Sequence, residues 1–93
     1  MKAIYKDIVL AESSETKVVE GNYYFPPESI NKEYFVPSDT HTTCFWKGEA
    51  SYYTVKIGEE SLTDAAWYYP KASEAAKAIE NHVAFYPVVK VQP

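Results

Sequence analysis

Ninety-three residues, 46% of them apolar or aromatic, fit one small folded domain and exclude both a disordered chain and a pair of independent cores. The formal charge is −4, and all nine basic residues are lysines scattered among thirteen acids. With no arginine fork and no basic stripe, nucleic acid is excluded as a main partner.

The chain opens with "AIY" and "IVLA" flanking Lys6-Asp7, which predicts a tight hairpin. "TKVVE" is a second short strand closed by Gly21-Asn22, residue types that tolerate positive φ. "YYF" follows as a strand and is stopped by Pro26-Pro27. "PPESI" predicts one helical turn, and "EYF" a brief strand ending at Pro37. Ser38 and Asp39 then read as turn formers whose side chains bond back to nearby amides, so "PSDT" is expected to be a turn leading into the central strand.

"EASYYTVKI" carries the clearest period of two. Ser51, Tyr53, Val55 and Ile57 fall on one face, and Ala50, Tyr52, Thr54 and Lys56 on the other. Gly58-Glu59-Glu60 turns the chain, and "LTDAAWYY" returns as the hairpin partner. "KASEAAKAIENH", residues 71–82, is expected to be the one helix. Ser73 would cap it, Glu74 suits the positive end of its dipole, and Ala75, Ala76, Ile79 and Val83 mark an apolar stripe. "VAFY" and "VVKV", separated by Pro87, close the domain as strands. The fold class is therefore mainly β: a small antiparallel β-domain spanning residues 1–93 with one short helix near the C-terminus.

The segment Pro37–Tyr53 concentrates the polar chemistry. Cys44 is the sole cysteine, with His41 three residues before it and Lys47 three after. A thiolate nucleophile needs a nearby base or positive field, so catalysis by Cys44 with help from His41 stands against a buried thiol at the entry to a strand. One cysteine leaves no internal disulfide. Among His41, His82, Cys44 and Asp39 no metal-ligand spacing emerges, so neither a metal nor another cofactor is expected. Lys47-Gly48 lacks the upstream glycine and the downstream helix of a phosphate loop.

Nine tyrosines, two tryptophans and four phenylalanines raise a further question. Adjacent strand residues point to opposite faces. If only one face is covered, Tyr23 and Tyr24, or Trp67 and Tyr68, cannot both be core, and at least three large rings should lie outside it. This supports a ligand pocket walled by Tyr23 or Tyr24, Trp46, Trp67 and Tyr68, with Asp39, Thr43 and Lys47 as polar contacts. Cross-strand packing is the competing explanation of the rings, and self-association through them is a third. No apolar run approaches membrane-spanning length and no signal-peptide pattern stands at the N-terminus, so a soluble cytoplasmic protein with no membrane partner is expected.

"YYFPPESI", "PSDTHTTCFWKGEASYY", "AAWYYP" and "AFY" occur in an order and spacing that resemble the DUF427 family, small bacterial domains of unknown function sometimes labelled nucleotidyltransferase. The resemblance covers nearly the whole chain and implies a compact β-rich domain similar to the Mss4-like or β-tent folds. Zinc-binding members of that group use cysteine pairs, which this chain lacks, so a metal-free version is implied. The family pattern reads Cys-Pro-aromatic-Lys-Gly where this chain has Phe45 in place of the proline. The resemblance carries no catalytic roles. The nucleotidyltransferase label also finds no paired magnesium-binding carboxylates here, since only Asp39 and Asp64 stand as stray candidates.

Overall fold

The computed structural model describes residues 1–93 and is mainly β, with antiparallel strand pairs throughout. Strand β1 (Lys2–Tyr5) pairs with β2 (Ile8–Glu12) through a turn in which Lys6 and Asp7 both take positive φ, the backbone that a two-residue hairpin needs. The C-terminal strand β9 (Lys90–Gln92) joins the other edge of β1, giving a three-stranded sheet in the order β2-β1-β9.

A separate hairpin follows from β3 (Lys17–Val19) and β4 (Asn22–Tyr24). Its turn is Glu20-Gly21, both at positive φ, so the turn lies one residue earlier than the Gly21-Asn22 pair expected from the sequence. Single turns of 3₁₀ helix cover Pro27–Ser29 and Lys32–Tyr34, the first as "PPESI" predicts.

The largest sheet has the order β5-β6-β7-β8, built from β5 (Phe35–Cys44), β6 (Gly48–Ile57), β7 (Glu60–Tyr68) and β8 (Ala84–Phe85). The expectation that a strand ends at Pro37 and that "PSDT" is a turn is corrected here. The strand runs on to Cys44, and Ser38-Asp39-Thr40 is a bulge within it, between the pairs Pro37↔Tyr53 and His41↔Ser51. Proline is tolerated there because β5 is an edge strand. The Ser38 hydroxyl still accepts the Thr40 N–H at 3.1 Å, which is the local bonding the residue types foretold. A second bulge lies in β7 between the pairs Tyr53↔Ala66 and Val55↔Leu62, and Asp64 within it takes φ +52. The two bulges are tied together: the Thr40 hydroxyl donates to Asp64 Oδ2 at 2.7 Å, and the Asp64 N–H donates to Thr54 Oγ1 at 3.3 Å.

The expected helix over 71–82 is a kinked 3₁₀ segment, Glu74–Ile79, broken at Ala76. Ser73 does not cap it. Its backbone N–H donates to Lys47 O at 3.0 Å and its hydroxyl to Trp46 O, so the capping residue is committed to the β5–β6 loop instead.

Both faces of the large sheet are covered across the middle of β6 and β7 and at β8, while most of the edge strand β5 is exposed. One faces the β2-β1-β9 sheet across a core that includes Leu10, Phe25, Phe35, Val55, Val83 and Phe85. The other packs on Tyr24 from β4 and on Ala72, Ala76 and Ile79 around the 3₁₀ segment, together with Tyr52, Tyr69 and Ala84. Tyr24 and Phe25 are neighbours in sequence yet fill opposite cores, and Phe25 is held by a reciprocal backbone pair with Val83 at 2.8 Å each way. Truncating such a fully buried ring to alanine costs about 3–5 kcal/mol. No helix is long and apolar enough to cross a membrane.

Candidate functional site

Two regions carry the chemistry, and they flank the Glu20-Gly21 turn. The first is the loop joining β5 to β6. Cys44 pairs with Gly48 at the end of the ladder, and Phe45, Trp46 and Lys47 cross between them. Gly48 takes φ +113, and a Cβ there would stand 3.1 Å from the Lys71 carbonyl oxygen, so glycine lets this loop press onto the 71–73 backbone. Together with the two Ser73 bonds, this fixes the loop and aims Lys47 inward.

Lys47 is one of two buried polar residues in the protein. Its ammonium lies 4.9 Å from the centre of the Trp46 ring and 5.6 Å from that of Tyr69, and it forms an ion pair with Glu20 from the β3–β4 turn. Burial alone pulls its pKa down. That is the largest single influence, but the bond to Glu20 together with the neighbouring Tyr69, Tyr24 and Cys44 exceeds it and lifts the ammonium above the ordinary lysine value. The Glu20 carboxyl is correspondingly held below its usual range by Lys47. Beside them the Cys44 thiol is also lowered, first by the backbone N–H of Trp46, against a desolvation penalty, then by the Lys47 amide and ammonium; Glu20 opposes this.

The second region is an open groove of about 530 Å³ lined by Tyr23, Trp67, Tyr86, Pro87 and Val89, with Asn22 and Lys90 as polar walls. Trp67 and Tyr86 lie with ring centres 4.7 Å apart. Tyr86 also stacks on Tyr52 at 6.4 Å and 11°, and the Tyr52 hydroxyl shares a 2.8 Å hydrogen bond with Thr42. Tyr52 as hydrogen-bond partner, then burial, pushes the Tyr86 phenol up to about 12. The Trp67 indole N–H donates to Tyr24, whose hydroxyl therefore sits between groove and interior.

Of the residues singled out from sequence, Tyr24, Cys44, Trp46 and Lys47 gather at the loop, and Tyr23 and Trp67 at the groove. His41 does not join Cys44. Alternation along β5 puts it on the opposite face, where its Nδ1 shares a 3.2 Å hydrogen bond with Ser51. Tyr68 also lies on that opposite face, stacked on Tyr53 at 4.6 Å. Asp39 and Thr43 are exposed, and neither lines the groove. No three His, Cys, Asp or Glu side chains come together as metal ligands.

Sequence reasoning passed over Glu20, Tyr86 and Lys90, and read Tyr52 only as a strand residue. Reading "THTTC" as a strand would have separated His41 from Cys44 and placed Thr42 beside Cys44. Nothing local in the sequence marks Glu20 as the partner of Lys47, twenty-seven residues away.

The family model described as a domain of unknown function (DUF427) matches residues 1–92. The chain belongs to the DUF427 family. No curated protein matches it. Membership of DUF427 covers both the loop and the groove and attaches no reaction to either.

Proposed function

We propose that this DUF427 protein binds a small, flat, largely apolar molecule in the groove between Tyr23, Trp67, Tyr86 and Pro87. The supporting observation is the groove itself: its volume of about 530 Å³ lies within the usual range for small-ligand sites, and four aromatic side chains, Tyr23, Trp67, Phe85 and Tyr86, line it. Asn22 can donate or accept a hydrogen bond at its rim, and Lys90 is its one charged wall, which favours a ligand with a single negative substituent. On this reading the partner is a metabolite rather than a nucleic acid or a membrane, and the setting is the cytoplasm, where a lone thiol stays reduced.

A screen of planar carboxylates and phosphates by thermal shift tests it. Ligand at a hundred times its Kd stabilises a one-site protein by about 2.7 kcal/mol. Tyr23→Ala, which changes a half-exposed ring, and Lys90→Ala should each weaken a hit while leaving the free protein's midpoint nearly unchanged. A screen without hits, or hits indifferent to both changes, would defeat the reading.

A second reading rests on the lowered Cys44 thiol. A thiolate chemistry there would draw on Lys47 and the Trp46 amide, with no part for His41, and it stands or falls with the reactivity of Cys44 as a function of pH.

A further inference from the structure

The protein has three salt bridges, and one differs from the others. In Lys6–Glu60 the side chains are 65% and 45% exposed, and in Lys77–Glu80 they are 50% and 30% exposed. In Lys47–Glu20 the cation is 8% exposed and the anion 54%. Here alone a buried ammonium is neutralised by a carboxylate that stands largely in water.

We propose that Lys47 is the cation of an oxyanion-binding site, separate from the groove, which the chain's own Glu20 carboxylate fills and which an external carboxylate or phosphate takes by exchange. The two halves of the pair are held very differently. Lys47 is fixed by the Ser73 N–H on its own carbonyl, by the Ser73 hydroxyl on the Trp46 carbonyl, and by the close approach of Gly48 to Lys71. The Trp46 and Tyr69 rings then hold the ammonium in place whichever anion faces it. Its geometry is set in advance, which is what binding an anion requires.

Glu20 is the loose half. It sits in the two-residue turn of a hairpin whose strands, Lys17–Val19 and Asn22–Tyr24, form a two-stranded sheet of their own. Such a hairpin is marginal in isolation. This one is anchored at its far end by Tyr24 in the core and by the Phe25–Val83 pair, so its tip can withdraw without unfolding the sheet beneath. An unpaired ammonium at this depth is costly, so an anion must replace Glu20 when it leaves. Simple hydration of the site is thereby disfavoured, and exchange for another oxyanion is favoured.

The two tryptophans separate this site from the groove: Trp46 lies against Lys47, and Trp67 lines the groove. In the ¹⁵N-labelled full chain, two indole N–H signals are expected, assigned with Trp67→Phe. Sodium phosphate and sodium acetate are titrated in turn against sodium chloride of equal ionic strength. The Trp46 signal should move along a saturating curve with at least one of the two anions while the Trp67 signal stays, and the lower midpoint tells phosphate from carboxylate preference. In Glu20→Gln, an exposed change, the midpoint should fall about tenfold if Glu20 fills the site nine parts in ten. A Trp46 signal that stays still or drifts without saturation in both proteins overturns the proposal. So does a saturating response confined to Glu20→Gln, which would make Glu20 a permanent partner. A failed groove screen leaves this result untouched, because its reporter is the other indole.

Discussion

The Trp67 indole N–H donates to the Tyr24 hydroxyl at 3.2 Å, with the two rings edge to face and their centres 6.2 Å apart. Tyr24 is 1% exposed, so this bond is the route by which the groove wall is braced from the interior. Tyr24→Phe keeps the ring and deletes the acceptor. It should cost about 1 kcal/mol in urea unfolding, the usual net worth of such a bond, and should loosen ligand contacts made by Trp67.

Gly48→Ala should be the most damaging glycine substitution. It combines φ +113 with a Cβ 3.1 Å from the Lys71 carbonyl, whereas Gly21 and Gly58 have open space around the same added atom. Strain alone at such a backbone position costs on the order of 1–3 kcal/mol, and the contact adds to it. Urea midpoints for alanine at all three glycines give the comparison.

The Glu20–Lys47 pair predicts a defined pH window. Glu20 is depressed from 4.5, so its contribution is present above that value and is lost as pH falls through its lower folded pKa. Lys47 is raised from 10.5, so its contribution is present below that value and is lost as pH rises through its higher folded pKa. The difference in unfolding midpoint between the natural chain and Glu20→Gln should hold across neutral pH and shrink in acid below 4.5.

Cys44 should alkylate with iodoacetamide along a pH profile shifted below the ordinary thiol value of 9.0. Because His41 is bonded to Ser51 across the sheet, His41→Ala should leave that profile unmoved. Glu20→Gln should shift it lower still, since the Glu20 charge opposes the thiolate.

Tyr86 should be among the last tyrosines to ionise in an ultraviolet titration, near pH 12, and Tyr52→Phe should bring it down by removing the hydrogen bond that is the largest cause of its shift.

Much of the architecture was legible because it is local. Lys6-Asp7 marks its hairpin by turn chemistry, "EASYYTVKI" its strand by alternation, and Gly58 the turn between β6 and β7. Two readings failed for non-local reasons. Ser73 looks like a helix cap until the β5–β6 loop claims its hydroxyl and its amide. "PSDT" looks like a turn until its residues become a bulge pinned by Asp64 from another strand. Three rings do stand exposed, Tyr23, Phe45 and Tyr86, but not because one face of the sheet is bare: Trp67 and Tyr68 point to opposite faces and each packs against a core of its own. The site was harder to read, because Lys47 and Glu20 meet only through the fold.

The covering of β6 and β7 on both sides has an outcome at the level of sequence variation. From Ala50 to Val55 no residue is freely exposed, and Ala65 to Tyr69 behave likewise. A saturation scan across these stretches should therefore show an unbroken block of intolerance, without the every-other-residue rhythm of a sheet that has a wet side. Inherited variation in this protein will be channelled into its rims, tips and turns.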